Sequence, residues 1–542
     1  MEKDRAADLI VRCLENEGVT VVFGLPGEET IDLLDAISRS KIRFVLARHE
    51  QGAAFMADAY GRITGRAGVC LSTLGPGATN LVTGVADAFL DRSPLVAITA
   101  QQELRQSHRE SHQYIDIPTL LAPITKWNAR VESVRVIPEV IRKAFKIAQI
   151  EKPGSAHIEL PSDIAEAPAE GVPIPWERVR RSSPDRPSLE RAAELIARSE
   201  RPLILAGNGV LRGHASGPLT ELAETVGLPV VQTMMSKGSI PSSSPMCLFT
   251  LGIPAFDYRS AGFDTSDLVI CVGYDLVEYE PRSWNPDGKQ RIIHLDFTPA
   301  EVSGEYVPEV EIAADIGETL RLLLERLAGT KKDTGQVEAR RARARRHYSE
   351  EGSPRKGTSK PQRILRELRR AMAPEDILVS DTGAHKIWIG RMFPTDRPNT
   401  VIIPNGLAPM GFALSAGIGI KIAEPDRTVI TVSGDGGFLM NVQELETARR
   451  ERAPTINLVF RDDALGSIRW KEQAHVGRTF GIEFANPDLV ALAQSFGLEG
   501  FRIEDAGELA PLLERVRALD VASVIDVPID YSDDPFFGAG DS

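Results

Sequence analysis

Short apolar runs alternate with amphipathic segments along most of the chain, and glycine-rich turns separate them. Near the start, VVFGLPG (21–27) predicts a strand, and the EETIDLLDAIS that follows places Ile31, Leu34 and Ile37 at helical spacing. The runs RFVLARHE, AGVCLSTLGPG and PLVAITAQ then alternate with the helical segments QGAAFMADAYGRITG and ATNLVTGVADAFLD. Strands that alternate with helices in this way form a parallel sheet with helices on both faces. The pattern therefore predicts an α/β fold.

Two polar segments divide this alternation into three blocks. Residues 167–188 are rich in proline and charge, and residues 329–360 hold a long charged stretch, so we interpret both as linkers. Each block repeats the strand–helix pattern, and a chain of 542 residues is long enough for several domains. We therefore predict three doubly wound parallel-sheet domains, at residues 1–170, 187–328 and 361–535.

Composition and charge narrow the classes of function. The formal net charge of −13 argues against a large nucleic-acid-binding face or a polybasic membrane surface. The arginine run at 340–346 is then best interpreted as a solvated helix. The chain has no apolar run of transmembrane length and no signal-peptide core, and its four cysteines lie far apart. We expect a cytoplasmic protein that binds neither nucleic acid nor membrane.

One strand–helix–strand unit near the C-terminus combines glycines with acidic residues. Strands are expected at 428–433 and 455–460, with a helix from about 438 to 450 between them. A right-handed crossover makes the two strands parallel, so their carboxyl ends lie at one edge of the sheet. Asp435 follows the first strand and Asp462 follows the second. We therefore expect these two carboxylates to meet.

These positions offer the ligands of a magnesium–phosphate site. The carboxylates of Asp435 and Asp462 and the backbone carbonyl of Ala464 are oxygen ligands of the kind that Mg²⁺ prefers. The glycines around Asp435 let a phosphate approach the backbone, and the helix start supplies free N–H groups. A bare strand-to-helix turn is the alternative for the GDG motif alone, but the second acidic position favours a metal. Because Mg²⁺ with few protein ligands usually binds phosphate as well, we predict an anchor for a diphosphate.

Two further segments lie where the first sheet is expected to bind ligands. Glu50 follows the strand RFVLARHE, at the carboxyl edge of a parallel sheet, where ligands of α/β proteins bind. A helix-terminal charge that the helix dipole stabilises is the alternative for Glu50. Gly75 and Pro76 follow the strand AGVCLSTL, and a plain strand-to-helix turn is the alternative for them.

Taken together, these residues resemble the thiamine-diphosphate enzymes, and within them the acetolactate synthase branch. The GDG motif with its second metal position is similar to the cofactor fingerprint of these enzymes. The segments that carry the resemblance to the branch are FGLPG (23–27), RHEQGAAFMADAYGR (48–62), TLGPGATN (73–80), PNGLAPMGFAL (404–414) and the closing VIDVPIDYSDD. The resemblance extends in order from about residue 5 to residue 535.

The resemblance implies a role for each domain and for individual residues. The first block would bind the aminopyrimidine of the cofactor and the third its diphosphate, while the middle block corresponds to a domain that holds FAD in some relatives. Glu50 would hydrogen-bond the pyrimidine nitrogen, and Met410 would hold the cofactor bent. The implied cofactor-binding set is Glu50, Gly75, Pro76, His385, Met410, Gly434, Asp435, Gly436 and Gly437. The implied metal ligands are Asp435, Asp462 and the Ala464 carbonyl, and the implied substrate-facing residues are Gly24, Gln113 and Lys126. For Lys126, an ordinary surface lysine is an equal alternative.

The resemblance also implies a reaction. We expect an enzyme that decarboxylates pyruvate to a hydroxyethyl–thiamine diphosphate carbanion and joins it to a second 2-oxo acid, giving 2-acetolactate. A related thiamine-diphosphate decarboxylase or acyltransferase with another substrate is the first alternative, and a catalytically silent protein of the same fold is the second. By resemblance, the active sites lie between subunits of a homodimer or homotetramer.

Departures from the family pattern refine these expectations. The second metal position is usually asparagine, whereas this chain has Asp462, which makes the site more negative. The stretch CVGYDLVEYEPRSW resembles the FAD-independent, catabolic-type enzymes, so we expect no tightly bound FAD. The preference between pyruvate and 2-ketobutyrate as acceptor stays open, because the family's discriminating tryptophan position falls near Lys471, with Trp470 one residue away.

Overall fold

The computed structural model describes residues 4–177, 179–252, 255–349 and 354–532. Within these ranges, eighteen strands form three six-stranded sheets, and every strand pairs with its neighbours in parallel. This arrangement confirms the predicted class, an α/β protein with three doubly wound parallel sheets. The exact domain boundaries stay predictions. No helix in the described ranges combines the length and the apolar character that crossing a bilayer requires.

The first sheet belongs to the N-terminal block. Its elements are α1 (Ala6–Asn16), β1 (Val21–Gly24), α2 (Ile31–Ser38), β2 (Arg43–Leu46), α3 (Glu50–Thr64), β3 (Gly68–Ser72), α4 (Pro76–Leu90), β4 (Leu95–Gln101), α5 (Ile117–Leu121), β5 (Trp127–Arg130), α6 (Ile137–Gln149), β6 (Ser155–Pro161) and α7 (Ser162–Glu166). The strand order is β2-β1-β3-β4-β6-β5.

The second sheet belongs to the middle block. Its elements are α8 (Arg186–Arg198), β7 (Pro202–Ala206), α9 (Gly209–Arg212), α10 (Ser216–Val226), β8 (Val230–Gln232), β9 (Cys247–Thr250), α11 (Ala255–Ala261), β10 (Leu268–Val272), β11 (Ile292–Asp296), β12 (Val310–Ala313) and α12 (Ile316–Arg326), followed by α13 (Val337–Ser349) in the charged linker. The strand order is β12-β11-β10-β7-β8-β9.

The third sheet belongs to the C-terminal block. Its elements are α14 (Pro361–Ala371), β13 (Ile377–Ser380), α15 (Ala384–Met392), β14 (Val401–Ile402), α16 (Phe412–Ala423), β15 (Val429–Gly434), α17 (Asp435–Met440), α18 (Glu444–Arg450), β16 (Ile456–Arg461), α19 (Gly466–Val476), α20 (Leu489–Ser495), β17 (Glu499–Arg502), α21 (Leu509–Arg517) and β18 (Ser523–Pro528). The strand order is β14-β13-β15-β16-β18-β17.

The central strands are buried along their whole length, because helices cover both faces of each sheet. Every residue of β3, β7, β10 and β13 is buried, which explains why these strands have continuous apolar runs rather than alternating ones. The helices instead have one apolar face, as in α6, which buries Ile141, Ala144, Phe145 and Ala148 against the first sheet.

Helices α3 and α16 join the first and third domains of the same chain. Phe55 of α3 meets Phe412 of α16 edge to face, with ring centroids 5.4 Å apart. The helices approach so closely that a Cβ on Gly419 would lie 2.3 Å from the carbonyl oxygen of Met56. The small residues of the segment QGAAFMADAYG therefore serve this contact between domains.

The helix predicted from about 438 to 450 is wrong in its start and in its continuity. The structure has α17 and α18 in its place, with a break between Met440 and Glu444. Asn441 is the physical reason for the break, because its side-chain amide donates to the carbonyl oxygen of Gly411 at 2.8 Å and its backbone leaves the helical region. The helix also begins earlier than predicted, at Asp435, directly after the strand.

Candidate functional site

The predicted acidic pair comes together at the carboxyl edge of the third sheet. Strands β15 and β16 are parallel neighbours, with Gly434 opposite Phe460, so the residues that follow them lie side by side. The Oδ2 atom of Asp435 accepts the backbone N–H of Asp462 at 3.2 Å and that of Asp463 at 2.8 Å. Asp463 has a left-handed backbone, with φ of 55°, and this turn directs both amides at Asp435.

The two carboxylates are destabilised in their charged form when no cation is present. Burial raises the pKa of Asp435. Burial, and after it the charge of Asp435, raise the pKa of Asp462 to about 7. The Arg469 guanidinium is 3.4 Å from Asp462 and offsets this repulsion only in part. A divalent cation between the carboxylates would remove the repulsion, so the donor set fits Mg²⁺.

Side chains alone do not complete a metal site. Among the described residues, no group of three or more His, Cys, Asp or Glu side chains is arranged to hold a metal ion. The Ala464 carbonyl accepts the N–H of Gly466 at 3.1 Å and, with two lone pairs, has capacity for a further partner. Such a partial set of protein oxygens would fit an ion whose remaining ligands come from a bound phosphate.

Asn486, which the sequence analysis missed, supports this pair. Its side-chain amide donates to Asp435 at 2.8 Å and to the Oδ1 atom of Asp463 at 2.7 Å. Its own Oδ1 atom is buried and has no hydrogen-bond partner. No signal in the sequence singled it out, because it lies in the extended segment before α20, far from the GDG motif along the chain.

His385 presents an unpartnered polar atom beside the same strand end. The residue is 1% exposed, and its Nε2 atom has no hydrogen-bond partner. Burial lowers the pKa of its imidazole to about 3, so the ring is neutral near pH 7. A Cβ on Gly434 would lie 3.5 Å from the ring. A buried orphaned nitrogen of this kind fits a bound ligand, because leaving it unpaired costs free energy.

Met410 reaches the GDG turn from the loop before α16. A Cβ on Gly436 would lie 3.5 Å from the methyl group of Met410. The loop is held by Asp381, whose carboxylate accepts the N–H of Gly411 at 3.0 Å and at 3.1 Å. Gly437 packs against the same carboxylate. A Cβ added at position 437 would lie 2.9 Å from an oxygen of Asp381, so there is no room for a larger residue. Asp381 is a second site residue that the sequence analysis missed.

Glu50 is buried at the edge of the first sheet. It is the first residue of α3 and 5% exposed, and its Oε2 atom accepts the side-chain amide of Asn80 at 2.9 Å. A Cβ on Gly77 would lie 3.2 Å from its Oε1 atom, so the turn at the start of α4 packs against the carboxylate. Asn80 is a partner that the sequence analysis did not name.

Four other predicted residues lie at this edge. Gly75 begins the turn into α4, and a Cβ on it would lie 2.5 Å from the carbonyl oxygen of Gln113; Pro76 is the first residue of that helix. Gln113 has a left-handed backbone, with φ of 59°, and an exposed side chain. Gly24 ends β1, where a Cβ would lie 2.6 Å from the carbonyl oxygen of Leu71. The structure thus brings Gly24, Gly75 and Gln113 to the sheet edge that holds Glu50.

Lys126 lies at the opposite edge of the first sheet. It directly precedes β5, and its ammonium group donates to the carbonyl oxygens of Ile147 at 2.5 Å and Ile150 at 2.8 Å. It therefore caps the C-terminal end of α6, where the carbonyls have no partner within the helix. Burial lowers the pKa of Lys126 to about 8. This placement gives Lys126 a structural role and does not bring it to Glu50.

The two halves of the predicted site lie at the carboxyl edges of different sheets, Glu50 in the first domain and Asp435 in the third. In the described ranges, no hydrogen bond or ion pair links Glu50 with Asp435, Asp462 or His385. The segments around the third-domain half also expose large apolar side chains. The exposed fractions are 37% for Leu407, 53% for Met440, 40% for Ile468, 59% for Val476 and 87% for Phe480.

Comparison with known proteins identifies the family of the chain. Three family models match the chain: the N-terminal thiamine pyrophosphate (TPP) binding domain of the thiamine pyrophosphate enzymes at residues 4–120, their central domain at 189–323 and their C-terminal TPP binding domain at 381–527. The chain is 34% identical over 538 residues to the acetolactate synthase of Bacillus subtilis (strain 168). This alignment covers 98% of this chain and 94% of that protein.

Two further relatives show the same extent of similarity. The catabolic acetolactate synthase of Raoultella terrigena is 36% identical over 539 residues, covering 98% of this chain and 96% of its own length. The probable acetolactate synthase large subunit of Methanocaldococcus jannaschii is 35% identical over 549 residues, an alignment that covers 97% of this chain and 92% of that protein. The chain therefore belongs to the thiamine pyrophosphate enzymes, and within that family it is similar to the acetolactate synthases.

Proposed function

We propose that this protein is a thiamine-diphosphate- and Mg²⁺-dependent carboligase that decarboxylates pyruvate and joins the two-carbon unit to a second 2-oxo acid, giving 2-acetolactate. The observation that carries the proposal is the buried pair of Asp435 and Asp462 at the ends of adjacent strands, next to the unpartnered nitrogen of His385. The names of the relatives, acetolactate synthases of similar length, support the choice of reaction.

The third domain would hold the metal and the diphosphate. Asp435, Asp462 and the Ala464 carbonyl would bind Mg²⁺, which would also bind phosphate oxygens. His385 and the backbone at Gly434 and Gly436 would contact the diphosphate. The helix dipole of the short α17 adds little by itself, so Mg²⁺, when bound, would supply most of the positive charge.

The first domain would supply the acid–base group. When bound, thiamine diphosphate supplies the carbon that attacks the 2-oxo acid and accepts the electron pair released with CO₂. Glu50 would hold a proton at the pyrimidine nitrogen of the cofactor, and Asn80 fixes the orientation of its carboxylate by donating at 2.9 Å. Gly75 and Pro76 shape the turn beside Glu50, and Gly24 and Gln113 lie where a 2-oxo acid would approach.

A second copy of the chain would complete the site. Among the described residues no hydrogen bond links Glu50 with the diphosphate half of the same chain, and the apolar side chains near that half, such as Met440 and Phe480, are exposed. Covering these side chains with the first domain of another copy would exclude water from the reaction. We therefore propose a homodimer or homotetramer with active sites between subunits.

The middle domain argues for a flavin-free enzyme. In a doubly wound sheet, a dinucleotide binds at the turn after the first strand, between the strands where the order reverses. Here that place, between β7 and β10, is filled by the carboxylate of Glu278. Its Oε1 atom accepts the backbone N–H of Asn208 at 3.0 Å and that of Asp275 at 3.1 Å. A side-chain anion thus takes the place of a phosphate, and we propose that FAD is not tightly bound.

The products formed from pyruvate test the proposal. Purified protein with pyruvate, thiamine diphosphate and Mg²⁺ should form 2-acetolactate at the same rate with and without FAD. Acetaldehyde as the sole product would favour the alternative, a related decarboxylase. No turnover with pyruvate, but turnover with another 2-oxo acid, would favour an acyltransferase or carboligase of different specificity. A protein that binds no thiamine diphosphate in the presence of Mg²⁺ would contradict the proposal altogether.

A further inference from the structure

A buried carboxylate of the third domain contacts the turn that leads into Glu50. Glu444, the first residue of α18, has no exposed surface, and its Oε1 atom accepts the backbone N–H of Arg48 at 3.1 Å and that of His49 at 3.0 Å. Its Oε2 atom accepts the hydroxyl of Thr447 at 2.6 Å. Two consecutive amides of the first domain are therefore directed at one side chain of the third domain.

The fit around this carboxylate is close. A Cβ on Gly52, in the first turn of α3, would lie 2.5 Å from the Oε1 atom of Glu444. Burial raises the pKa of Glu444 to about 7, while the hydrogen bonds from Thr447, Arg48 and His49 lower it. The carboxylate and the two amides depend on each other, because each would be an unpaired buried polar group without the other.

We propose that Glu444 is a positioning residue for Glu50. His49 is the N-cap of α3 and directly precedes Glu50, so fixing the amides of residues 48 and 49 fixes the point from which the Glu50 side chain projects. The inference rests on the proposed role of Glu50. Because the contact lies within one chain, the protomer that supplies Glu50 also orients it, whichever protomer supplies the diphosphate half.

The same short segment also holds the Met410 loop. Asn441 donates to the Gly411 carbonyl oxygen at 2.8 Å, and its own carbonyl accepts the N–H of Glu444 at 3.0 Å. Residues 441–444, the break that interrupts the predicted helix, thus contact two parts of the proposed site. This gives a physical reason for the break, since a continuous helix would direct Asn441 and Glu444 differently.

The test compares two substitutions of Glu444 in the cofactor-loaded enzyme. Exchange of the C2 proton of bound thiamine diphosphate for deuterium is measured by NMR, together with cofactor affinity and thermal stability. Glu444→Ala should slow exchange by about ten- to a hundred-fold while cofactor affinity changes little, because a small displacement of Glu50 is enough for such a loss. Glu444→Gln should keep most of the exchange, because its amide oxygen can accept both N–H groups in place of Oε1.

A matched variant separates positioning from general destabilisation. Thr431→Val removes a buried hydrogen bond, 2.8 Å from the hydroxyl to Asn457 Oδ1, in the interior of the third sheet. It should lower the melting temperature without slowing exchange. Wild-type exchange in Glu444→Ala with the cofactor bound would overturn the proposal, as would equal losses in Glu444→Ala and Thr431→Val at equal melting temperature.

Two more variants test the positioning role if Glu444→Ala does not fold, and distinguish it from the proposed role of Glu50. If Glu444→Ala does not fold, Gly52→Ala displaces the same carboxylate from the other side, and it should slow exchange while leaving cofactor affinity unchanged; wild-type exchange in it would overturn the proposal. Glu50→Gln in the same assay separates the two levels of inference. If Glu50→Gln also exchanges normally, the proposed role of Glu50 fails; if only the Glu444 variants exchange normally, the positioning role fails alone.

Discussion

The first and third domains place a carboxylate at the same point of the same type of fold, but with different partners. Glu50 and Asp435 each begin the helix that follows a strand at the carboxyl edge of a parallel sheet. Glu50 accepts a hydrogen bond from the neutral amide of Asn80. Asp435 shares its edge with Asp462, and the pair is held in mutual repulsion.

The difference teaches how one fold serves two tasks. A single buried carboxylate whose orientation a neutral donor fixes is suited to acid–base chemistry, because such chemistry requires a group held within hydrogen-bond reach of the proton. A buried pair with raised pKa values is suited to a cation, because binding relieves the repulsion.

The largest expected effect is on cofactor binding at the edge of the third sheet, where Asp435 and Asp462 form a pair. Asp435→Asn should weaken the binding of thiamine diphosphate and Mg²⁺ by more than about 100-fold, because it removes a proposed metal ligand and one of the two charges. Titration calorimetry of the cofactor with Mg²⁺ present measures this loss. Glu50→Gln is the matched control, since it changes a carboxylate to an amide at the other edge and should bind nearly normally. Equal binding by both variants would contradict the division of tasks.

The next effect is at the single carboxylate. Glu50→Gln should reduce 2-acetolactate formation by about 10²- to 10⁴-fold, the usual contribution of a positioned acid–base group. Steady-state assays at saturating cofactor measure it, and Asn80→Ala, which leaves the carboxylate but removes its donor, should show a smaller loss. A rate for Glu50→Gln close to that of the native protein would remove Glu50 from the proposed mechanism.

A smaller effect on metal binding is expected from Asn486, which donates a hydrogen bond to Asp435. Asn486→Ala removes the amide that orients Asp435 and should weaken Mg²⁺ binding by about 10- to 100-fold, as for other residues that orient metal ligands. The Mg²⁺ dependence of cofactor binding measures this change. A control at an exposed position of the same segment, Glu483→Ala, should leave the metal dependence unchanged, and an equally large effect there would point to loop disruption instead.

The smallest effect is on stability. Because the pKa of Asp462 is raised to about 7, its stabilising contribution to the metal-free protein is fully present below the unfolded pKa, near 3.8, and is lost as pH rises through 7. Asp462→Asn should therefore stabilise the metal-free protein at pH 8 by on the order of 2 kcal/mol and have little effect at pH 4. Thermal unfolding in a chelator at both pH values measures this. A pH-independent difference would show that the pair does not repel as described.

Part of the candidate site could be predicted from the sequence, and there is a physical reason why the rest could not. The meeting of Asp435 and Asp462 could be predicted, because a right-handed crossover brings the ends of adjacent parallel strands together. Asn486 could not, since it reaches the site from a loop whose path depends on packing. Asp381 directly follows β13, a parallel neighbour of β15, so strand order brings it to the same edge, but its contact with the Gly411 loop depends on packing. Lys126 matched a family position, yet the structure uses it to cap α6 at the opposite edge.

The sequence by itself determined the three α/β blocks, the acidic pair and the family, because strand–helix alternation, crossover handedness and local motifs are properties of neighbouring residues. Only the tertiary structure decided the break between α17 and α18, the contact of Glu444 with Arg48 and His49, and the filling of the middle-domain crevice by Glu278. These contacts join residues that are far apart along the chain, and no local periodicity signals them. They form only when helices and sheets pack together and their buried polar groups make hydrogen bonds with one another.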